Sequence, residues 1–321
     1  MNPEAHGNFA GKRLVVFGCG YVGGEVARQA LVRGLRVTAL TRNGEKAAAL
    51  RAAGIETVVA DLAGDAWHGA ILGGAEFVLN AVSSGGGGVE GYRRSYLEGM
   101  KSILTWAKAR GPAGTLVYTS STSVYPQDGG VRVDESAPVS GRDERAAVLV
   151  ETERLLLDGL AGGGTRPTSE SEPRTVGGVP LPRFTNRAFV LRLAGIYGPG
   201  RHHLIDQVRA GEVSGNGGHH LNLIHRDDIC AAIWAGFGAP ATVDGGVFNV
   251  ADDGAATKAE VAAWLAAQLG VPAPRFSGLP VAGRRGVVPD RIIVNTRLKA
   301  ALGWQPRFPS FREGYANLLS H

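Results

Sequence analysis

A glycine-spaced turn near the N-terminus constrains the fold of this chain more than any other feature. The stretch LVVFGCGYVGGEVARQALVRG, residues 14–34, places glycines between an apolar run and a helix-like pattern. In such a G-x-G-x-x-G turn, Gly18 permits the sharp bend, Gly20 lets the backbone approach a pyrophosphate, and Gly23 allows close helix–strand packing. The helix N-terminus offers N–H groups and partial positive charge to phosphates. The sequence therefore predicts a dinucleotide-binding turn, with a plain glycine-rich strand–helix turn as the alternative.

Short apolar runs alternate with helical patterns along the first two thirds of the chain. The runs lie at 14–18, 36–40, 57–60, 77–81, 115–120 and 189–194, and their apolar residues are continuous rather than alternating. Continuous apolar strands are typical of a parallel sheet that helices cover on both faces. We therefore expect an α/β fold, a doubly wound parallel Rossmann sheet with a small, interleaved C-terminal substrate lobe.

The expected domain organisation follows from where this alternation breaks. We predict an NAD(P)-binding Rossmann domain over 1–196 and a substrate lobe over most of 197–321, with 221–252 returning to the sheet. Residues 161–187 are rich in Gly, Pro, Ser and Thr and have no periodicity, which predicts a long surface loop that is a candidate for mobility. A final helical segment is predicted over 257–269.

Composition and charge argue against several classes of protein. No apolar run reaches the ~18–20 residues of a membrane span, and the N-terminal residues lack the apolar core of a secretory signal, so we expect a cytoplasmic protein with no membrane partner. The net charge is +5, and the basic residues are scattered along the chain rather than clustered, which favours small anionic ligands over nucleic acid as partners. The two cysteines are far apart and the histidine pairs at 202–203 and 219–220 are adjacent, so no metal site is expected.

The end of the second strand discriminates between NAD and NADP. NAD-binding proteins usually place an acid there for the ribose 2′-hydroxyl, but this chain reads Leu40-Thr41-Arg42-Asn43. A guanidinium binds a 2′-phosphate, whereas a carboxylate repels it, so NADP is favoured and NAD is the alternative. Asp61, at the end of the third strand, either contacts the adenine edge or caps the following helix. The predicted cofactor-binding residues are Gly18, Gly20, Tyr21, Val22, Gly23, Arg42, Asp61, Leu62, Ala81 and Ser83.

Further sequence blocks carry a family resemblance. They include YTSSTSVYP at 118–126, DESAP at 134–138, RLAGIYGPG at 192–200, IHRDDICAAI at 224–233 and VFNVAD at 247–252. With the glycine turn, they resemble the extended short-chain dehydrogenases/reductases, the NAD-dependent epimerase/dehydratase superfamily. The resemblance implies a cofactor over the glycine turn and a small-molecule substrate, either a carbonyl or hydroxyl compound or a nucleotide sugar. It also implies a catalytic hydroxyl at Ser121 and a Tyr-x-x-x-Lys pair on the next helix.

The expected proton relay of that family is missing. Alignment through Glu153 places Arg145 in the tyrosine position and Leu149 in the lysine position, and none of the seven tyrosines is followed four residues later by lysine. Arginine, with a pKa above about 12, cannot act as the base, although it can bind an anion or polarise a carbonyl. The predicted catalytic residues are Ser121, Tyr125 and Arg145. Tyr125 is the first candidate for the acid/base, followed by Asp143 or Glu144; the alternative is that Tyr125 borders the cleft without titrating.

Two functions remain open at this point. The first is an NAD(P)-binding epimerase, dehydratase or reductase with an unusual acid/base, and the second is a non-catalytic NADP-binding sensor. Family members often form homodimers through two helices, which correspond here to about 91–110 and 143–160. The apolar stripes of these segments fit either a dimer interface or the core.

Overall fold

The computed structural model describes residues 9–84, 86–111, 113–141, 143–160, 175–176, 179–180, 185–278 and 289–320. The chain divides into two compact units. The first comprises Met1–Val124, Ser140–Leu191 and Ile233–Val247, and the second comprises Tyr125–Val139, Arg192–Ala232 and Phe248–His321. These bounds differ from the predicted division at residue 196, because residues 125–139 cluster with the second unit and residues 233–247 with the first.

A seven-stranded sheet organises the first unit and confirms the predicted Rossmann fold. Its strands are β1 (Arg13–Phe17), β2 (Arg36–Thr41), β3 (Glu56–Val59), β4 (Phe77–Asn80), β5 (Ala113–Ser121), β6 (Thr185–Leu193) and β7 (Gly245–Val250). They lie in the order β7-β6-β5-β4-β1-β2-β3. The pairs β1–β2, β2–β3, β1–β4 and β4–β5 are parallel. Because β1 lies between β2 and β4, the strand order reverses beside it, and ligands of open α/β sheets bind at such a switch point.

Ten α-helices are found among the described residues. They are α1 (Gly23–Val32), α2 (Gly44–Ala52), α3 (Gly88–Arg93), α4 (Gly99–Arg110), α5 (Glu144–Leu160), α6 (His203–Arg209), α7 (Arg226–Phe237), α8 (Lys258–Leu269), α9 (Thr296–Leu302) and α10 (Phe311–Leu319). A π-helical turn over Arg94–Glu98 joins α3 to α4. The helix predicted over 257–269 is confirmed as α8, which Thr257 and Glu260 begin with a reciprocal capping box. The prediction that it is the final helix was wrong, because α9 and α10 follow it.

Aromatic side chains form much of the core of the first unit. Phe17 of β1 lies 5.0 Å from Trp67 and 5.8 Å from Trp106, measured between ring centroids. Both tryptophan rings are fully buried, and their N–H groups donate to the carbonyls of Leu62 and Ile71. These contacts anchor the turns after β3 beneath the sheet, because a buried indole N–H requires an acceptor.

Two segments depart from expectation. Much of the predicted loop at 161–187 lies outside the described residues; within it, Thr175–Val176 and Val179–Pro180 form a short antiparallel pair, and β6 begins at Thr185. Of the predicted return at 221–252, Gly245–Val250 joins the sheet. Leu223–His225 instead pairs with Gly195–Tyr197 in a separate two-stranded sheet, so the expectation for that part was wrong.

The second unit has its own apolar core. Val261 and Leu265 of α8 pack with Tyr197, and with Phe311 and Tyr315 of α10. Short strand pairs surround this core, among them Val131–Val133 with Arg291–Ile293. None of the helices in the described part of the chain combines the length and the apolar character needed to cross a membrane.

Candidate cofactor site

A pocket of about 180 Å³ lies in the first unit where β1, β2, β3 and β4 end. Seven of the ten predicted cofactor-binding residues line it, namely Gly18, Gly20, Arg42, Asp61, Leu62, Ala81 and Ser83. The other three, Tyr21, Val22 and Gly23, continue from the turn into α1. Residues separated by more than sixty positions therefore meet at one edge of the sheet.

The three glycines of the turn have different structural requirements. Gly18 has a φ of +93°, and a Cβ there would lie 2.6 Å from the carbonyl carbon of Ala81. A Cβ at Gly23 would lie 2.2 Å from the carbonyl oxygen of Gly18. A Cβ at Gly20 would meet nothing closer than 4.0 Å. The protein itself thus requires glycine at 18 and 23, whereas the bare backbone at 20 leaves room for a ligand, as a dinucleotide pyrophosphate needs.

The N-terminus of α1 fits an anion. Within the described residues no side chain caps this terminus at Val22, so its positive end is not neutralised by a capping oxygen. The acid of the first turn, Glu25, is bonded to Arg28 at 2.6 Å and to Gln29 at 2.8 Å. Together with the space at Gly20, this terminus suits the phosphates of a dinucleotide.

Two cations line the pocket at the end of β2. Arg42 and Lys46 are both exposed, and neither enters an ion pair with a carboxylate in the part of the chain that is described. Asn43 caps α2 by accepting the Lys46 amide at 2.9 Å, which places Lys46 in the first turn of that helix. Sequence reasoning missed Lys46, although its spacing of four residues from Arg42 was a usable signal.

Asp61 is held by two partners. Its Oδ1 accepts the amide of Ala63 at 3.0 Å, and its Oδ2 accepts the Nε of Arg94 at 3.0 Å. Burial opposes the charged form, but the Ala63 amide and the Arg94 guanidinium outweigh it and lower the pKa of the carboxyl. The turn-capping contact is therefore present, and the contact with adenine stays a prediction.

Sequence reasoning also missed residues beside the glycine turn. Cys19 lines the pocket, and burial, partly offset by Lys46, raises the pKa of its thiol to about 11. Ser95 also lines the pocket and donates to the carbonyl of Ser84 at 3.2 Å. No sequence signal pointed to Ser95, because its position depends on the π-helical turn.

Ser121 and Arg145 lie in the first unit. Ser121 ends β5, is half-buried, and accepts the amide of Ser123 at 3.2 Å. Its hydroxyl donates to no acceptor within the described residues. Arg145 lies in the first turn of α5 and is half-buried. Four residues later Leu149 is buried, and buried Glu153 accepts the hydroxyl of Ser120 at 2.5 Å.

Tyr125 belongs to the second unit and is fully buried. Its hydroxyl donates to Asn249 Oδ1 and accepts from Arg192 Nη1, both at 2.8 Å. Burial raises the pKa of the phenol despite the opposing charge of Arg192. A relay tyrosine needs a lowered pKa, so these contacts favour the alternative in which Tyr125 does not titrate.

Among the described residues, no group of three or more His, Cys, Asp or Glu side chains is arranged so that it could hold a metal ion. His220 instead pairs with Asp290, whose Oδ1 lies 2.7 Å from Nδ1 of the imidazole. That carboxylate also accepts the His220 amide at 2.8 Å.

Comparison with known proteins indicates an NAD(P)H-binding domain. Residues 18–155 match the model of a family described as NAD(P)H-binding. Protein YeeZ of Escherichia coli is 27% identical over 304 residues, which cover 93% of this chain and 97% of YeeZ. The 3-diazoavenalumate denitrifying reductase of a Streptomyces species is 27% identical over 237 residues, 68% of each chain. The UDP-glucuronic acid 4-epimerase of Bacillus cereus, solved in complex with NAD, shares the fold with a TM-score of 0.70 at 15% identity, over 96% of this chain and all of that one.

Proposed function

We propose that this chain, whose residues 18–155 match an NAD(P)H-binding family and whose sequence resembles the extended short-chain dehydrogenases/reductases, is an NADP-dependent enzyme. Its substrate is a small carbonyl or hydroxyl compound or a nucleotide sugar, and its reaction is a reduction, epimerisation or dehydration. The observation that carries this proposal is the pocket beside the glycine turn, which the cations Arg42 and Lys46 also line.

The charges around the pocket support NADP over NAD. Arg42 and Lys46 line the pocket where NAD-binding proteins usually place an acid. Two cations suit the 2′-phosphate, because charge-assisted hydrogen bonds to phosphate are the strong ones. The carboxylate of Asp61, the acid of this pocket, is engaged by Arg94 at 2.9 Å.

The roles of the chain's own residues follow from these positions. The cofactor supplies or accepts hydride when bound. We assign to Ser121 a hydrogen bond to the reacting oxygen, for which its hydroxyl hydrogen is available, and to Arg145 the polarisation of a carbonyl or the binding of an anionic group. The reductase and epimerase found by comparison support a carbonyl or nucleotide-sugar-like substrate.

A second candidate is a non-catalytic NADP-binding sensor. Two observations favour it: Leu149 is buried in the position of the family's lysine, and the Tyr125 hydroxyl is engaged on both sides. A protein of this kind would bind NADPH through the same pocket and would not turn it over.

Calorimetric titration with NADPH and NADH tests the cofactor. We expect NADPH to bind at least about tenfold more tightly, since charge-assisted contacts are worth about 1.5–3 kcal/mol. Arg42→Ala and Lys46→Ala should each weaken NADPH binding about fivefold and leave the affinity for NADH within about twofold of wild type. Lys101→Ala removes an exposed cation of α4 that is paired with Glu98 and should change neither. Equal binding of both dinucleotides, before and after substitution, would refute the NADP assignment.

Turnover separates the enzyme from the sensor. NADPH absorbance is followed over a panel of carbonyl compounds and UDP-sugars, with wild type, Ser121→Ala and Tyr125→Phe. If the protein is an enzyme, we expect the rate of turnover to fall about 100-fold in Ser121→Ala and to persist in Tyr125→Phe. Full activity of Ser121→Ala would refute the role assigned to Ser121, and tight NADPH binding without turnover of any compound would favour the sensor.

A further inference from the structure

A π-helical turn interrupts the long helix beside the pocket. Gly88–Arg93 and Gly99–Arg110 are α-helical, and Arg94–Glu98 between them forms one wider turn. It is the only π-helical turn in the described ranges of the chain. Turns of this type inside α-helices are rare and lie frequently at functional sites, which raises the question of what this turn positions.

The π turn and the first turn of α4 hold the segment that follows β3. Arg94 contacts Asp61 through Nη2 at 2.9 Å and Nε at 3.0 Å. A Cβ at Gly99 would lie 3.0 Å from Leu62 Cδ2, so the helix approaches this side chain closely. Ser102 then donates to the carbonyl of Gly64 at 2.6 Å. The segment 61–64 lies beyond the end of β3, so these helix contacts determine how Asp61 and Leu62 face the pocket they line.

We infer that Arg94, presented by the π turn, is a positioning residue for base specificity: it orients the Asp61 carboxylate toward the exocyclic amine of an adenine in this pocket. The inference rests on the proposed function, because it requires a dinucleotide in the pocket. It goes beyond that function by naming a residue through which the site discriminates between adenine and other bases.

The chemistry of Asp61 suits this role. Its side chain is 36% exposed, and an ionised carboxylate offers about four acceptor positions, of which Ala63 and Arg94 occupy only part. Adenine presents an N–H donor at its 6-position, whereas hypoxanthine presents a carbonyl oxygen there. A fixed carboxylate therefore accepts from adenine and repels hypoxanthine.

Two further observations agree with a role in binding. The Ala63 amide and Arg94 together lower the pKa of Asp61 against its burial, so the carboxylate is ionised at neutral pH and acts only as an acceptor. The Arg94 side chain is 56% exposed, and exposed ion pairs add little to fold stability. The main consequence of Arg94 is therefore expected in ligand selection.

The test compares two dinucleotides that differ only at the base. NADPH and reduced nicotinamide hypoxanthine dinucleotide phosphate are titrated calorimetrically into the full chain. Wild type should prefer the adenine dinucleotide about fivefold, the effect of one partly exposed charge-assisted bond. Arg94→Met should reduce the preference below twofold, and Arg94→Lys should restore part of it. Arg93→Met serves as the matched control, because Arg93 is the preceding residue and forms an exposed ion pair with Glu151 at 3.5 Å; it should leave the preference unchanged.

The ratio of the two affinities distinguishes this role from general loosening of the site. Both dinucleotides carry the same phosphates, so lost charge or distortion weakens both and leaves their ratio unchanged. Asp61→Asn should also abolish the preference, and it decides the question if Arg94→Met does not fold. An unchanged ratio in Arg94→Met, or no preference in wild type, would overturn the inference while leaving the proposed function intact. A wild type that binds neither dinucleotide would instead contradict the proposed function.

Discussion

A buried carboxyl in the second unit leads to a specific prediction about pH and stability. Asp252 is only 6% exposed. Its Oδ1 accepts the amide of Gly254 at 3.1 Å, and its Oδ2 is buried without a hydrogen-bond partner among the described residues. Burial, reinforced by the negative charges of Asp253, Asp228 and Glu313, raises the pKa of this carboxyl to about 8.

The sign of the effect follows from proton uptake. The ordinary pKa of an aspartate side chain is 3.8, so between about pH 4 and pH 8 the folded state holds a proton that the unfolded state has lost. The stability that Asp252 contributes is therefore fully present below about pH 4 and is lost as the pH rises toward 8. The slope is at most about 1.4 kcal/mol per pH unit, so between pH 3.8 and pH 7 the loss amounts to roughly 4 kcal/mol.

The perturbation is Asp252→Asn, which keeps an acceptor for the Gly254 amide and removes the titration. We expect the free energy of unfolding of this variant, minus that of wild type, to grow by about 3 kcal/mol between pH 5 and pH 7. Urea denaturation at several pH values, followed by circular dichroism and tryptophan fluorescence, measures this difference. Taking the difference cancels the contributions of the other titrating groups. A constant loss of stability caused by the buried amide does not affect how this difference changes with pH.

The control is Asp253→Asn at the adjacent position. That side chain is 40% exposed and contacts Lys299 at 2.6 Å, so its loss should produce a small change without the same growth with pH. If the difference in the free energy of unfolding between Asp252→Asn and wild type stays flat or falls from pH 5 to pH 8, Asp252 does not retain a proton in the folded state, and the prediction is refuted.

Two further predictions concern the glycine turn. Gly20→Ala should leave the thermal unfolding midpoint nearly unchanged, because its Cβ meets no atom closer than 4.0 Å, yet it should weaken NADPH binding more than tenfold. Gly18→Ala should weaken binding and also destabilise the fold by about 1–3 kcal/mol, because its Cβ would lie 2.6 Å from Ala81 at a φ of +93°. Equal loss of stability in both variants would contradict the assignment of Gly20 to ligand contact. Cys19 and Cys230 are both buried, and the pKa of Cys19 is raised to about 11. A thiol reagent at pH 8 should therefore label neither cysteine in the native protein and both after denaturation. Rapid labelling of one thiol in the native protein would contradict this prediction.

Much of the fold was predictable from local patterns. Gly18, Gly20 and Gly23 follow an apolar strand and precede a helix, and the structure places them at the expected turn. The predicted NAD(P)-binding Rossmann fold is confirmed by the NAD(P)H-binding match over 18–155 and by the shared fold. These patterns are readable because backbone sterics at glycine and the continuity of apolar strands act over a few residues.

The pocket was predictable in part. Arg42 and Asp61 stand at strand ends, where the topology of a parallel sheet brings side chains to one edge, and both line the pocket. Tyr125 shows the limit of such reasoning. It follows Ser121 by four residues along the chain, but its hydroxyl is bound by Arg192 and Asn249, which are 67 and 124 residues away.

The sequence by itself determined the Rossmann sheet, the glycine turn between β1 and α1, the cationic residue after β2 and the absence of a Tyr-x-x-x-Lys pair. Only the tertiary structure decided that Arg94 meets Asp61 across 33 residues and that Asp252 lies buried among other acids. The reason is physical: turn chemistry and strand hydrophobicity depend on neighbouring residues, whereas burial and pairing depend on which distant surfaces pack together. No short-range pattern records that the helix contains a π turn from which Arg94 contacts Asp61.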